Sequence, residues 1–363
     1  MNEYRPRRGS YTALAAVLAT AAFLLTACGS AGSSGNATST STAGAASTAS
    51  AAPGVGAPSS AIIAKAKSEG TVVWYAGFGA TDLSPIGDAF TKQYGITVQI
   101  VAQPGSELET KVSAAEKSGS EQADVITAAY SPFFTTGFTS GVVKPITASL
   151  PNIASTYPSS AFSDNGKFAA NTIIPVLMAY NSNDIPAADL PKTYADLGKP
   201  YFKGKIAAFD PSLSIGGVEF YDAILRHYGQ TALNAIGSNM VKFYSSPAAV
   251  LQAVASGEQP ITISATAGAV AALTKSGAPL KTIAPPFQVA TEFGSVETGH
   301  APHPAAAQLF LSWIYSSAGQ KAIDQVELSG SPLQPESLPG SIDTGNPASA
   351  VKNQAMILHV LHA

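Results

Sequence analysis

The sequence predicts an α/β fold for a body that runs from about Ala61 to the C-terminus, arranged as two lobes. Short β-rich runs alternate there with apolar residues at helical spacing. The body is also about 300 residues long, more than one hydrophobic core comfortably serves.

The first lobe opens with Thr71-Val72-Val73-Trp74-Tyr75, a β-rich run that follows Glu69-Gly70. Ile86, Ala89, Phe90 and Tyr94 then fall at helical spacing, and Gly95 stands where such a helix stops. Ile96–Val101 is the next strand. Leu108, Val112 and Ala115 mark a second amphipathic helix closed near Gly119, and Asp124–Thr127 is a third strand. The order β-α-β-α-β implies a parallel sheet with right-handed crossovers. Its ligand crevice lies at the strand C-termini, here Ala76–Gly79 and Ala128–Ser131.

A second unit follows. Ile173–Tyr180 is extended and apolar and suits a crossing segment. Lys205–Phe209 is a strand that runs through Asp210–Gly217 into a helix over Val218–Tyr228. Val250, Leu251 and Val254 lie on a helix stopped by Gly257; Pro260–Ser264 is a strand, and Thr266–Lys275 a helix. Gln288–Phe293 is a return strand. Ala305–Tyr315 and Ala318–Val326 are helices split by Ser316-Ser317, and Ala348–Leu361 is a terminal helix.

The N-terminus carries a different message. Arg5, Arg7 and Arg8 precede an uncharged run from Ser10 to Ala27, shorter than the roughly 20 apolar residues a membrane span needs. It reads as a secretory signal over residues 1–27. Leu25-Thr26-Ala27-Cys28 resembles the bacterial lipobox, which implies cleavage before Cys28 and acylation of its thiol; two chains already anchor stably. The competing reading is an ordinary signal peptide that happens to contain a cysteine. Arg7-Arg8 leaves the export route, general or twin-arginine, open. Cys28 is the single cysteine of the chain, so no internal disulfide exists. Residues 28–60 form a linker: Gly29 to Ser59 holds no charge and one valine, too little apolar surface to offset ordering. Such a coil spans on the order of 30 Å.

Charge narrows the partners. Without Arg5, Arg7, Arg8 and Glu3 the 20 basic and 23 acidic residues become 17 and 22, a net charge of −5. With no basic stripe, nucleic acid and anionic membrane surfaces are poor partners.

Four segments in register resemble one family. They are Tyr180-Asn181-Ser182, Pro191–Leu197 and Phe202–Ile206, taken together; Gly70–Tyr75 with Ala89-Phe90; Ala253–Glu258; and His303-Pro304, Ala307–Phe310 and Ser317–Lys321. This pattern resembles the extracellular solute-binding proteins of ABC importers, in the type II periplasmic-binding-protein branch that includes ferric-iron, thiamine, phosphonate and sugar-phosphate binders. The resemblance implies two α/β lobes, each a mainly parallel sheet flanked by helices, hinged by strands around a ligand cleft. Lobe 1 would comprise 61–172 and 288–326, lobe 2 173–287, and 327–363 a C-terminal tail and helix. It further implies a monomer beside an ABC permease and ATPase, held by its lipid at the outer face of the cytoplasmic membrane, without cofactor. A ligand-sensing lipoprotein that signals to a membrane receptor would share these features.

The iron-binding members hold metal with a tyrosine pair after the strand corresponding to Ile261–Ser264, an acidic residue after the third strand and a histidine in the first loop. Here those places read Ala265–Ala269, Ala128-Ala129 and Gly77–Gly79. Bare ferric iron, which needs anionic oxygen or imidazole, is not expected; an organic iron chelate would not need them.

Ser212-Leu213-Ser214-Ile215-Gly216-Gly217 precedes a helix, where exposed backbone N–H groups and the dipole suit a carboxylate, phosphate or phosphonate. Plain N-capping by Ser212 or Ser214 is the simpler use of the same residues. Phe78, Gly79 and Tyr130, at the first and third strand ends, are candidates to wall the ligand, and Thr266 is a candidate hydrogen-bonding residue. Ser212–Gly216 also falls one glycine short of Gly-x-Ser-x-Gly, and with five histidines in the chain a hydrolase is not expected. Glu297, His300 and His303 read as loop residues, because Pro302 and Pro304 forbid a continuous helix through them.

Overall fold

The computed structural model describes residues 55–77, 82–334 and 341–362. The signal segment, Cys28 and most of the linker lie outside the described residues, as do Phe78 and Gly79.

The chain enters through α1 (Ser60–Glu69), whose N-cap Ser59 accepts a hydrogen bond from the Ile62 amide at 3.3 Å. Then come β1 (Thr71–Ala76), α2 (Ser84–Tyr94), β2 (Thr97–Ala102), α3 (Gly105–Ser118) and β3 (Val125–Ala129). Gly95 and Gly119 cap α2 and α3 at φ 73° and 65°, a left-handed conformation that glycine adopts without steric cost. β1 pairs in parallel with both β2 and β3. Its burial alternates along TVVWYA; Trp74 is fully buried and its indole N–H donates to Thr127 Oγ1 at 2.8 Å. Trp74, Phe90 and Phe310 interlock in one apolar cluster with ring centroids 5.1–5.9 Å apart where Trp313 joins them.

Next are α4 (Pro132–Ser140), the single-turn α5 (Ile146–Ser149) and α6 (Ile153–Thr156), β4 (Phe162–Ser163) and the long β5 (Phe168–Asn181). The second half holds β6 (Ile206–Phe209), α7 (Ile215–Asn239), β7 (Met240–Tyr244), α8 (Pro247–Ala255), β8 (Ile261–Ala265), α9 (Ala267–Lys275), β9 (Leu280–Ile283) and β10 (Phe287–Glu297). The chain closes with α10 (Pro304–Ile314), α11 (Ser317–Glu327), β11 (Ser341–Asp343) and α12 (Pro347–Leu361).

The strands are ordered β2-β1-β3-β10-β5-β8-β6-β7, with β4 and β9 on β5 and β11 on β10. Parallel trios stand at the two ends, β2-β1-β3 and β8-β6-β7. Between them β10 and β5 run antiparallel to each other, with Thr291 opposite Ile174 and a register shift at Phe293/Gly294. The chain therefore crosses the sheet centre on two long strands, and each parallel end turns its strand C-termini toward that crossing.

Sequence reading placed these elements closely but ended the helix at Tyr228. The chain breaks helical geometry at Gly229 (φ 78°) and resumes, burying Leu233 and Ile236 on the same core as Ile206, Tyr194 and Ile357. α1, α4, α5, α6, β4, β7, β9 and β11 were not read from the sequence. α12 packs on α7 through Ile357 and Leu361, and Ser349 Oγ and Asn353 Nδ2 donate to the fully buried Asp222 at 2.9 and 2.7 Å.

Candidate functional site

A cavity of about 300 Å³ lies at the central crossing. Four helices begin at its wall. Pro104 and Gly105 open α3, Ser214, Gly216 and Gly217 open α7, Ser246, Pro247 and Ala248 open α8, and Ala265 and Thr266 precede α9. The first amides of a helix lack intrahelical acceptors and sit at the positive end of its dipole, each end equivalent to roughly half an elementary charge. None of the described residues lining the cavity is charged.

The sequence dictates these starts locally. Ser246 Oγ accepts from the Ala249 amide at 3.1 Å and Thr266 Oγ1 from the Ala269 amide at 3.4 Å, both ordinary N-caps. Ser264 Oγ accepts from the Phe209 amide at 3.1 Å, which ties β8 to β6. Each of these hydroxyls spends a lone pair and keeps its own hydrogen to donate. Ser214 differs: it is the N-cap of α7 by position, yet its side chain makes no capping bond. Asp210 takes the capping role for the turn before it, accepting from the Ser212 amide at 2.8 Å. Gly216 and Gly217 are required by close approach. A Cβ on Gly216 would lie 2.9 Å from Thr291 Cγ2, and one on Gly217 2.9 Å from Pro211 Cα.

The remaining wall is mostly apolar and aromatic, including Ile174, Val176, Phe209, Phe220, Tyr221 and Phe293, with Gln103 and Thr291 as its polar members. Tyr221 is buried, and desolvation, followed by the nearby Asp210 charge, raises its pKa, so it is a poor source of phenolate. Ser106, in the first turn of α3, donates to the Leu213 carbonyl and so joins α3 to the turn before α7.

Of the residues singled out from sequence, Ser214, Gly216 and Thr266 meet in this cavity. Ser212 is exposed and does not line it. Tyr130 stacks on Phe134 at 6.2 Å, packs against Phe168 at 5.0 Å and shares a hydrogen bond with Thr135, outside the cavity lining. Phe78 and Gly79 lie outside the described residues. Sequence reasoning missed Thr291, Ser246 and the Pro104-Gly105 start of α3; the Ser-Pro and Pro-Gly pairs were the available signals for the last two.

Several carboxyls near the crossing are held protonated more readily than usual. Burial raises Glu219 to about 8, with Glu292 and Asp222 adding to the shift, and raises Glu292 to about 7. Burial likewise lifts Glu109 to about 7 despite the hydrogen bond from Ser131. Glu297, His300 and His303 go to separate partners. Lys144 (2.5 Å) and Ser149 (2.7 Å) bind Glu297, Glu116 binds His300, and Asp124 binds His303 at 2.9 Å.

The fold and the cleft at its crossing strands define a binding protein. The chain belongs to the bacterial extracellular solute-binding protein family, whose model matches residues 71–325. It is thus an exported protein; among the described residues no helix is long and apolar enough to cross a membrane. Its fold is similar to that of iron-bound HitA from Pseudomonas aeruginosa (21% identity, TM-score 0.64, covering 80% of this chain and 99% of that one). It is also similar to the substrate-binding protein of an ABC transporter from Agrobacterium tumefaciens (17%, 0.67, 80% and 94%). A third is AfuA from Actinobacillus pleuropneumoniae with fructose-6-phosphate bound (18%, 0.65, 81% and 97%). No curated protein sequence matches the chain.

Proposed function

We propose that this protein captures a small organic anion in the cavity and delivers it to an ABC importer. In this reading residues 61–172 with 288–326 form one lobe and 173–287 the other. Closure follows because a ligand touching both lobes binds the closed state better than the open one. Lipid on Cys28 and the uncharged linker hold the body beside its permease.

One observation carries the reading: four helix N-termini meet at a cavity whose hydroxyls at Ser246, Ser264 and Thr266 already accept from backbone amides. What such a wall still offers is N–H and O–H donors, and the ligand that takes donors is rich in acceptors. The AfuA structure, with its bound sugar phosphate, and the Agrobacterium importer component share the fold and support the same class of role. Bare ferric iron does not fit: among the described residues the lining holds no carboxylate or imidazole, and its one phenol, Tyr221, resists ionisation. Non-enzymatic capture also accords with the family.

Titration with ferric salts in the absence of chelator tests the exclusion of metal. No visible charge-transfer band is expected; a band saturating at one iron per protein would overturn it. Native mass spectrometry of protein from its own host tests the rest, with a retained small organic molecule expected and an empty protein contradicting it.

A further inference from the structure

Thr291 stands on β10, remote in sequence from every helix start in the cavity, and only 7% of it is exposed. It lines the cavity, and its hydroxyl has no hydrogen-bond partner among the described residues. The Thr291 Oγ1 atom lies 3.4 Å from the place a Cβ on Gly216 would take, directly beside the first turn of α7. Ser214 Oγ lies 3.5 Å from that same place and is likewise free of a capping bond. Both residues line the cavity, so each hydroxyl keeps a hydrogen that a bound molecule can accept. Two uncommitted hydroxyls and the start of α7 therefore line the same part of the cavity wall.

The wall around this niche has a second property. Ile174, Val176, Phe209, Phe220 and Phe293 line the cavity, and none of its described lining residues carries a charge. A phosphate group carries up to two charges and is ordinarily met by arginine or lysine as well as by amides. A sugar ring presents hydroxyls all round, which a wall of phenylalanine and branched side chains would strip of water without replacement. A carboxylate carries one charge, within what helix ends and hydroxyls alone can balance, and an apolar body gains by covering such a wall.

We infer that the ligand is a monocarboxylate with an aromatic or branched apolar body, and that Thr291 is a specificity-determining residue whose hydroxyl donates to that carboxylate. This deepens the capture reading above and rests on it. In this reading the acid group lies in the cavity against the start of α7, within reach of Ser214 and Thr291, and the body lies toward Phe209, Phe220 and Phe293.

The test is calorimetric titration of the full exported chain with phenylacetate, 3-methylbutanoate, phenylacetamide, fructose 6-phosphate and inorganic phosphate. At least one of the two carboxylates binds, and the neutral amide binds at least about tenfold more weakly than phenylacetate. Thr291→Val lowers carboxylate affinity about tenfold to a hundredfold, while Thr291→Ser stays within about twofold of wild type. Should Thr291→Val fail to fold, Thr291→Ala against Thr291→Ser asks the same question of the hydroxyl. Failure of both carboxylates overturns the ligand class. Binding of fructose 6-phosphate or inorganic phosphate in their place does so while leaving the capture reading intact. An unchanged affinity in Thr291→Val overturns the role of Thr291. Absence of binding by all five probes, with no molecule retained in native mass spectrometry, removes the capture reading as well.

Discussion

Gly216 and Thr291 touch across the cavity so closely that a single added Cβ on the glycine would sit 2.9 Å from the threonine methyl. The helix that opens at Gly216 and the strand that carries Thr291 are 75 positions apart in the chain, yet their approach shapes the niche. Gly216→Ala pushes α7 off β10 or turns Thr291 away. The expected result is a ligand affinity lowered by at least about tenfold with a melting temperature only a few degrees down, since overpacking costs typically 1–3 kcal/mol. Calorimetry and thermal denaturation separate the two effects.

The two serines before α7 are expected to part company. Ser214→Ala weakens ligand binding, because its hydroxyl is uncommitted and beside the niche. Ser212→Ala leaves binding unchanged, since Ser212 is exposed and outside the lining. Equal effects of the two substitutions in titration would remove the assignment of Ser214.

Glu219 gives the protein a pH dependence of definite sign. It is 5% exposed on α7, and Glu292 on β10, Asp222 on α7 and Asp343 on β11 oppose its ionisation, with Arg226 alone favouring it. Its carboxyl titrates near 8 folded, against an ordinary value of 4.5. Between those values the folded chain holds a proton that the unfolded chain has released, so stability is full below 4.5 and declines as pH rises toward 8. The slope approaches about 1.4 kcal/mol per pH unit for this group alone. Melting temperatures measured from pH 5 to 8 are expected to fall, and Glu219→Gln to flatten the fall. The same slope in both proteins would contradict the assignment.

Ser106 and Leu213 join the start of α3 to the turn before α7. If the lobes close as proposed, Ser106→Ala shifts the ligand-free protein toward the open form. Small-angle scattering would register a larger radius of gyration without ligand and an unchanged one with it. An identical radius in both proteins without ligand would show that this contact does not hold the lobes.

Cys28→Ser is expected to move the protein from the membrane fraction to the medium or periplasm with ligand affinity unchanged. Persistence in the membrane fraction would contradict anchoring through that thiol.

Much of this fold was legible because its signals are local. Gly95 and Gly119 stop helices by a conformation that only the adjacent sequence decides. Ile173–Tyr180 showed its crossing role as an uninterrupted apolar run. The site was legible where a helix start announced itself, at Ser214, Gly216 and Thr266. It was illegible at Thr291, whose place beside Gly216 is set by the antiparallel pairing of β10 with β5 and the packing of α7 on β10. Tyr130 illustrates the converse. It stands at a strand end as expected, but Phe134 and Phe168 offer its ring more buried contact than an open crevice does.

The cavity at the crossing strands is proposed to hold an organic anion by the start of α7. A crystal structure of the protein purified with its retained ligand tests this most directly. An acid group within hydrogen-bonding distance of the Gly216 amide is expected. Ligand bound away from this residue, or an acid group held by lysine side chains elsewhere, would contradict the proposal.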